Sequence, residues 1–137
     1  MLPITKQNIL NKIASTPVDP AVGIRLALLW EDNPYEGVTE KSYYGSLVSP
    51  HSKIAAHYHN EGDELYFIIE GKGLMRLGVA EEIGVKWQQE FEVNTGDFFT
   101  VPAKAVHQLV NTSDDDMLAV FACDGNHLRN DRFVVEE

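Results

Sequence analysis

The sequence has few cysteines and few basic residues, and each shortage excludes a class of protein. Cys123 is the single cysteine among 137 residues, so no disulfide forms within the chain. A lone cysteine favours a reducing compartment, and we expect Cys123 to be a small core residue rather than a nucleophile. The chain has 11 lysine and arginine residues against 21 aspartate and glutamate residues, a formal net charge of −10. Duplex DNA or an anionic membrane needs a basic footprint, which these scattered positive residues do not form.

Long apolar runs are also missing. No stretch approaches the ~18 apolar residues of a membrane span. The N-terminal MLPITKQNIL is too polar for the hydrophobic region of a signal peptide. We therefore expect a cytoplasmic protein that binds neither membrane nor nucleic acid. The length and the apolar fraction of 44% fit one domain over residues 1–137 with its own core.

What is present is one short helix followed by strands. Thr5 can cap a helix over residues 5–15, with Ile9, Leu10 and Ile13 on one face. From residue 24 onward, short β-rich runs alternate with turn sequences such as EGKG and NTGD. About nine such runs after one helix predict an all-β sandwich or barrel. The predicted strands are 24–30, 42–48, 54–59, 65–69, 74–79, 85–93, 97–101, 108–111 and 117–122.

The run LYFII at residues 65–69 is apolar at both alternating positions. A strand with one wet face would alternate, so we expect this strand to be covered on both faces. The barrel interior covers one face, and either the N-terminal helix or a partner subunit covers the other. We predict a homodimer on this basis.

Two histidines and a glutamate form the first candidate site. His57 and His59 are two positions apart in a predicted strand, so their side chains point to the same face. The sequence NEGD suits a tight turn, which would bring Glu64 back beside them on a neighbouring strand. Burying these groups unpaired would be costly, and a divalent metal would remove that cost. The alternative from spacing alone is an exposed histidine pair with a surface glutamate.

A longer pattern resembles the two sequence motifs of the cupin superfamily. His57-Tyr-His59, four residues, Glu64, six residues and Gly71 match the first motif, within residues 51–71. Gly96, five residues, Pro102, then His107, three residues and Asn111 match the second, residues 96–111. Two motif glycines are replaced, by His51 and Lys104. The resemblance implies a double-stranded β-helix, or jelly-roll barrel, preceded by the short helix.

The resemblance also implies that His57, His59, Glu64 and His107 bind one divalent transition metal. Such a set leaves two open positions on an octahedral ion, where water, substrate or dioxygen can bind. Fe, Mn, Ni and Zn all remain open as the identity of the ion. Tyr66 shares its face with Glu64, so it either contacts a substrate in the cavity or packs in the core.

The remaining candidates have plainer interpretations. His51 is expected in a loop or at the start of a strand, and His127 lies in a polar C-terminal segment that could fold over the barrel mouth. Trp87 is expected to pack on a sheet face. The acidic run at residues 114–116 is expected to be a solvated loop. Arg25, Arg76 and Lys104 are the candidates for meeting an anionic substrate.

Two functions from different classes follow. The first is a metal-dependent enzyme acting on a small polar molecule, as a dioxygenase, a decarboxylase or a sugar or sugar-phosphate isomerase. The second is a non-enzymatic, metal-containing module that binds a sugar-like small molecule. The resemblance does not select among these reactions, because one scaffold hosts unrelated chemistries. No general base is evident from spacing.

Overall fold

The structure is a computed structural model that describes residues 3–29, 41–124 and 131–137. In those ranges the chain forms one helix and twelve strands. Their bounds are α1 Lys6–Ala14, β1 Val18–Asp19, β2 Ile24–Arg25, β3 Ala27–Leu28, β4 Lys41–Val48, β5 His57–Tyr58, β6 Glu64–Glu70, β7 Lys72–Ala80, β8 Val85–Asn94, β9 Phe98–Val101, β10 Val106–Val110, β11 Met117–Asp124 and β12 Phe133–Val134.

Helix α1 forms close to where the sequence predicts it. The hydroxyl of Thr5 accepts a hydrogen bond from the backbone N–H of Asn8 at 3.1 Å, which caps the first turn. The buried side chains of Ile9 and Ile13 pack on β4 at Gly45, where a Cβ would lie 2.8 Å from Ile9 Cγ2. Glycine at this point lets the helix approach the sheet. Among the described residues, no helix has the length and apolar character to cross a bilayer.

Two five-stranded antiparallel sheets form the body of the fold. Their strand orders are β12-β5-β10-β7-β8 and β3-β4-β11-β6-β9, and β1 and β2 form a separate hairpin. Strands far apart in sequence are neighbours, with β5 beside β10 and β4 beside β11. This is the double-stranded β-helix arrangement, so the all-β prediction is confirmed.

The core lies between the two sheets. Tyr66, Ile68 and Phe121 from one sheet pack with Met75 and Leu109 from the other. A second cluster lies under α1 and joins Ile9, Ile13, Ala27, Leu29 and Leu118. The first cluster surrounds the candidate site, and the second attaches the helix to the outer face of the sheet.

Strand β6 is covered on its inner face, but its outer face is covered only in part. Its inner residues Tyr66 and Ile68 are buried, and Ile69 on its outer face packs against the cluster under α1. Phe67 is 38% exposed, and it lies beside Phe98, which is 62% exposed. The helix therefore covers one end of the outer face and leaves these two phenylalanine rings at the surface.

Two predicted strands are shorter than expected. The run 24–30 forms β2 and β3, and Trp30 lies outside the described residues. The run 54–59 forms only β5, because Ile54 and Ala55 donate to different neighbours. The N–H of Ile54 donates to the Leu109 carbonyl at 3.0 Å, and that of Ala55 donates to the Val22 carbonyl at 3.1 Å. A regular ladder with β10 begins only at His57, which pairs with His107.

Candidate metal centre

Three buried imidazoles converge inside the barrel. His57 and His107 are direct cross-strand partners on β5 and β10, and His59 follows β5. One ring nitrogen from each of the three lies within 4.8 Å of the others, close enough to bind one ion. The predicted shared face of His57 and His59 is confirmed by this geometry.

Each imidazole uses its Nδ1 atom to contact a backbone carbonyl oxygen. The distances are 2.7 Å from His57 to Ala55 and 3.0 Å from His107 to Ala105. His59 reaches the carbonyl of Asp131 at 2.5 Å. A carbonyl oxygen only accepts, so Nδ1 carries the hydrogen and the lone pair of the neutral ring lies on Nε2. This is the tautomer that binds a metal through Nε2.

Glu64 faces the three histidines from the opposite sheet. Its Oε2 lies 3.0 Å from His59 Nε2, and its Oε1 lies 3.9 Å from His107 Nε2. The expectation that Glu64 would lie on a neighbouring strand is wrong, because β5 and β6 belong to different sheets. The turn between them crosses the barrel, so the carboxylate faces the imidazoles instead of lying beside them.

The donor set fits a divalent metal. Nε2 of a neutral ring and a carboxylate oxygen are both acceptors, so their approach at 3.0 Å requires a proton or a cation between them. Burial and, to a smaller extent, the neighbouring His107 together lower the pKa of His57 to about 3. His57 is therefore neutral at neutral pH, with its lone pair available. Neutral imidazoles and one carboxylate are natural ligands of Fe, Mn, Ni and Zn.

Tyr66 lies beside the cluster on the inner face of β6, as its position relative to Glu64 predicts. Its side chain is 2% exposed, and its hydroxyl donates a hydrogen bond to Glu64. Burial raises the pKa of Tyr66 well above its usual value, and the Glu64 charge raises it further. The phenol therefore stays protonated and orients the carboxylate. Its ring stacks on Phe99 and meets Phe121 edge-on, with centroids 5.3 Å and 4.6 Å apart.

Asp131 supports the centre from the far end of the chain, and nothing in the sequence pattern singles it out. Its carbonyl accepts from His59, and its buried carboxylate accepts the backbone N–H groups of Asn60 at 2.7 Å and Glu61 at 2.8 Å. Strand β12 follows at once and pairs with β5. The C-terminal segment thus fixes both the orientation of His59 and the turn that leads to Glu64.

A pocket of about 350 Å³, part of it open to solvent, adjoins the cluster. His57, Glu64 and Tyr66 line it together with an apolar wall formed by Val22, Ile24, Leu26, Ile54 and Phe121. Tyr44, Cys123 and Arg132 complete the lining. Cys123 is buried, as expected, but it lies at the pocket and not in a remote part of the core.

The other candidate residues lie away from this pocket. His51 is exposed and pairs with Asp114 at 2.7 Å, in the solvated acidic loop that the sequence predicts. Arg25 donates to the Thr16 carbonyl, and Arg76 stacks over Trp87 at 4.0 Å. Lys104 is exposed. His127 lies outside the described residues.

The two residues that stand where the motifs have glycine keep the backbone conformation that favours glycine. His51 has a φ of 55° and Lys104 a φ of 71°. The N–H of Lys104 donates to the His59 carbonyl at 2.6 Å, so this turn is tied to a candidate ligand. The motif asparagine, Asn111, is structural, because its buried amide donates to the carbonyls of Val48 at 2.9 Å and Asp115 at 2.7 Å.

Comparison with known proteins agrees with this architecture. The family model of the cupin domain matches residues 46–123, more than half of the chain. The chain is 35% identical over 83 residues to an uncharacterized protein of Methanocaldococcus jannaschii, in an alignment covering 61% of this chain and 58% of that protein. The chain thus spans less than two thirds of that relative's length.

Two solved structures share the fold. One is an uncharacterized conserved protein with a double-stranded β-helix domain from Klebsiella pneumoniae, with a TM-score of 0.66, 14% identity and 100% of both chains covered. The other is a Cupin 2 conserved barrel domain protein from Salinispora arenicola, with a TM-score of 0.60, 18% identity, and 90% of this chain and 87% of that chain covered. At these identities the likeness concerns the fold.

Proposed function

Because this chain belongs to the cupin family, we propose that it is a metal-dependent enzyme acting on a small molecule. One divalent transition metal would be held by His57, His59, His107 and Glu64. The observation that carries the proposal is the set of Nδ1 contacts to backbone carbonyls, which directs the Nε2 lone pairs to a common point beside a carboxylate. When bound, Fe, Mn, Ni or Zn would supply a Lewis acid with positions open to substrate.

The residues around the pocket limit what that small molecule is. The apolar wall offers few partners to hydroxyl groups, so a sugar or sugar phosphate fits this pocket poorly. Tyr66 holds the Glu64 carboxylate in place and keeps its own proton. We therefore favour a dioxygenase or decarboxylase type of reaction over an isomerase.

A non-enzymatic binding module is the second candidate, and the pocket lining supports it. Apart from His57 and Glu64, the titratable groups among its described lining residues are Tyr44, Tyr66, Cys123 and Arg132. Tyr66 stays protonated, and an arginine does not release its proton in proteins. Tyr66 and Arg132 are therefore unsuited to act as a general base, and a metal that merely holds a ligand would need none.

The experiment that separates the candidates is a turnover screen after reconstitution. Metal-free protein is loaded with Fe(II), Mn(II), Ni(II) or Zn(II) and offered a panel of small acids, alcohols and sugars, with oxygen uptake and CO2 release as readouts. An enzyme turns over at least one compound, and His107→Gln abolishes that turnover. His51→Gln is the matched control, because His51 is exposed and pairs with Asp114. Binding without turnover under every metal would favour the binding module.

We also propose that the chain acts as one domain, in the cytoplasm, as a homodimer. The buried Cys123, which forms no disulfide, supports a reducing compartment. The exposed rings of Phe67 and Phe98, with centroids 6.2 Å apart, support a self-association surface on the outer face of β6 and β9. Sedimentation of Phe67→Glu should then show a monomer, whereas Ile83→Glu, at an exposed site between β7 and β8, should leave the dimer intact.

A further inference from the structure

The C-terminal segment places a permanent positive charge at the pocket. Of the described residues that line it, Arg132 is the one with a cationic side chain, and that side chain is only 12% exposed. A guanidinium held out of water is expensive unless it has an anionic partner. The partner that the structure shows is Asp19, whose Oδ2 lies 2.7 Å from Arg132 Nη1.

The pairing with Asp19 holds the guanidinium in place and leaves it capable of further bonds. The other carboxylate oxygen of Asp19 accepts the backbone N–H of Ala21 at 2.9 Å, so Asp19 belongs to the turn that carries Val22 to the pocket wall. The contact with Asp19 occupies one nitrogen of Arg132, and a guanidinium has five N–H donors. A preorganised fork of this kind binds a second carboxylate with little loss of side-chain entropy.

The charges around the pocket favour an anion. The Arg132 charge is balanced by Asp19. A divalent metal among three neutral imidazoles and Glu64 would leave one uncompensated positive charge. The pocket is small, since its empty space of about 350 Å³ includes open solvent, so it admits only a small molecule. Its apolar wall suits a hydrocarbon body, and the arginine suits a carboxylate at one end.

We propose that the ligand of this site is a small carboxylate with an apolar body, whose carboxylate group binds Arg132. This inference rests on the proposed function, since it assigns the substrate class of the same metal site. Arg132 would be a specificity-determining residue. It replaces Arg25, Arg76 and Lys104 as the anion-binding candidate, because those three lie outside the pocket.

The test is calorimetric titration of Mn(II)-loaded protein with pentanoate and with its neutral isostere pentanamide. We expect pentanoate to bind about 10- to 100-fold more tightly than the amide, as for a charged hydrogen bond. In Arg132→Gln that advantage should disappear, while binding of the amide stays the same. Arg76→Gln is the matched control, because Arg76 stacks on Trp87 away from the pocket and should keep the full advantage.

A second variant separates anion binding from a merely structural role of Arg132. Asp19→Asn breaks the same ion pair but keeps the guanidinium, so it should retain pentanoate binding. Loss of pentanoate binding in Asp19→Asn equal to that in Arg132→Gln would overturn the proposal in favour of a structural clamp. The proposal would also be overturned if the Mn(II)-loaded wild-type protein bound pentanoate and pentanamide with equal affinity, or if it did not bind pentanoate.

The metal content of each sample distinguishes this failure from that of the proposed function. A chain that takes up no metal refutes the metal-dependent function and this substrate class with it. A fully loaded chain that does not discriminate between acid and amide refutes only the role of Arg132.

Discussion

His59 Nδ1 and the backbone carbonyl oxygen of Asp131 are 2.5 Å apart, although 72 positions separate the two residues in the sequence. This contact links a candidate metal ligand to the C-terminal segment. The same aspartate holds the turn after His59 through its carboxylate, which accepts the N–H groups of Asn60 and Glu61. The geometry of the centre therefore depends on residues outside the motif that supplies its ligands.

We predict that Asp131→Ala weakens metal binding about 10- to 100-fold, the usual loss when a group that orients a ligand is removed. The variant leaves two backbone N–H groups without their acceptor, and the turn that carries His59 loosens. Competition with a chromophoric chelator measures the affinity. Asp97→Ala is the control, because Asp97 likewise accepts a backbone N–H, from Asn94 at 2.7 Å, but in a turn outside the site. A similar loss in both variants would show that the effect is general destabilisation.

Glu64→Gln should reduce metal affinity more than about 10-fold while the β-rich circular dichroism stays unchanged. The amide keeps the shape of the side chain but removes the negative charge beside His59 Nε2. Glu70→Gln lies at the exposed end of the same strand, where Glu70 pairs with Lys6, and should bind metal as the wild type does. Unchanged affinity in Glu64→Gln would mean that Glu64 is not a ligand.

The stability of the metal-free protein should fall as the pH drops below 6.5. The pKa of His57 is about 3 in the folded protein and 6.5 in the unfolded chain. Between these values the unfolded chain binds a proton that the folded protein does not, so unfolding becomes more favourable as the pH falls. One such proton changes the free energy of unfolding by about 1.4 kcal/mol per pH unit, or roughly 2 kcal/mol at pH 5.

Urea denaturation at pH 7 and pH 5 measures this effect. In His57→Gln the free energy of unfolding should lose the part of its pH dependence that comes from His57. His51→Gln should keep that part, because His51 is exposed. If the His57→Gln variant shows the same pH dependence as the wild type, protonation of His57 does not contribute to the acid sensitivity.

Lys104→Gly should be more stable than Lys104→Ala by about 1 kcal/mol in the free energy of unfolding, because residue 104 has a left-handed backbone that strains an L residue. Both variants remove the lysine side chain, so their difference reports the backbone alone. Thermal denaturation measures it. Equal stability of the two variants would show that the φ of 71° carries no strain.

Local patterns in the sequence predict the strands and the three histidines, because alternation and motif spacing act over short distances. Thr5 and the apolar face of α1 identify the helix to within one residue at each end. The sequence predicts that Glu64 lies close to the histidines and on the next strand, but it does not show that this strand belongs to the opposite sheet, because spacing does not reveal that the turn crosses the barrel. Asp131 and Arg132 could not be predicted, because β12 reaches β5 only after the chain has folded.

The metal content of the protein purified without chelator tests the central claim most directly. Mass spectrometry of the native chain should find about one equivalent of Fe, Mn, Ni or Zn per chain, because three imidazoles and a carboxylate converge within reach of one ion. A metal content far below one equivalent, even after reconstitution with each of the four ions, would contradict the account.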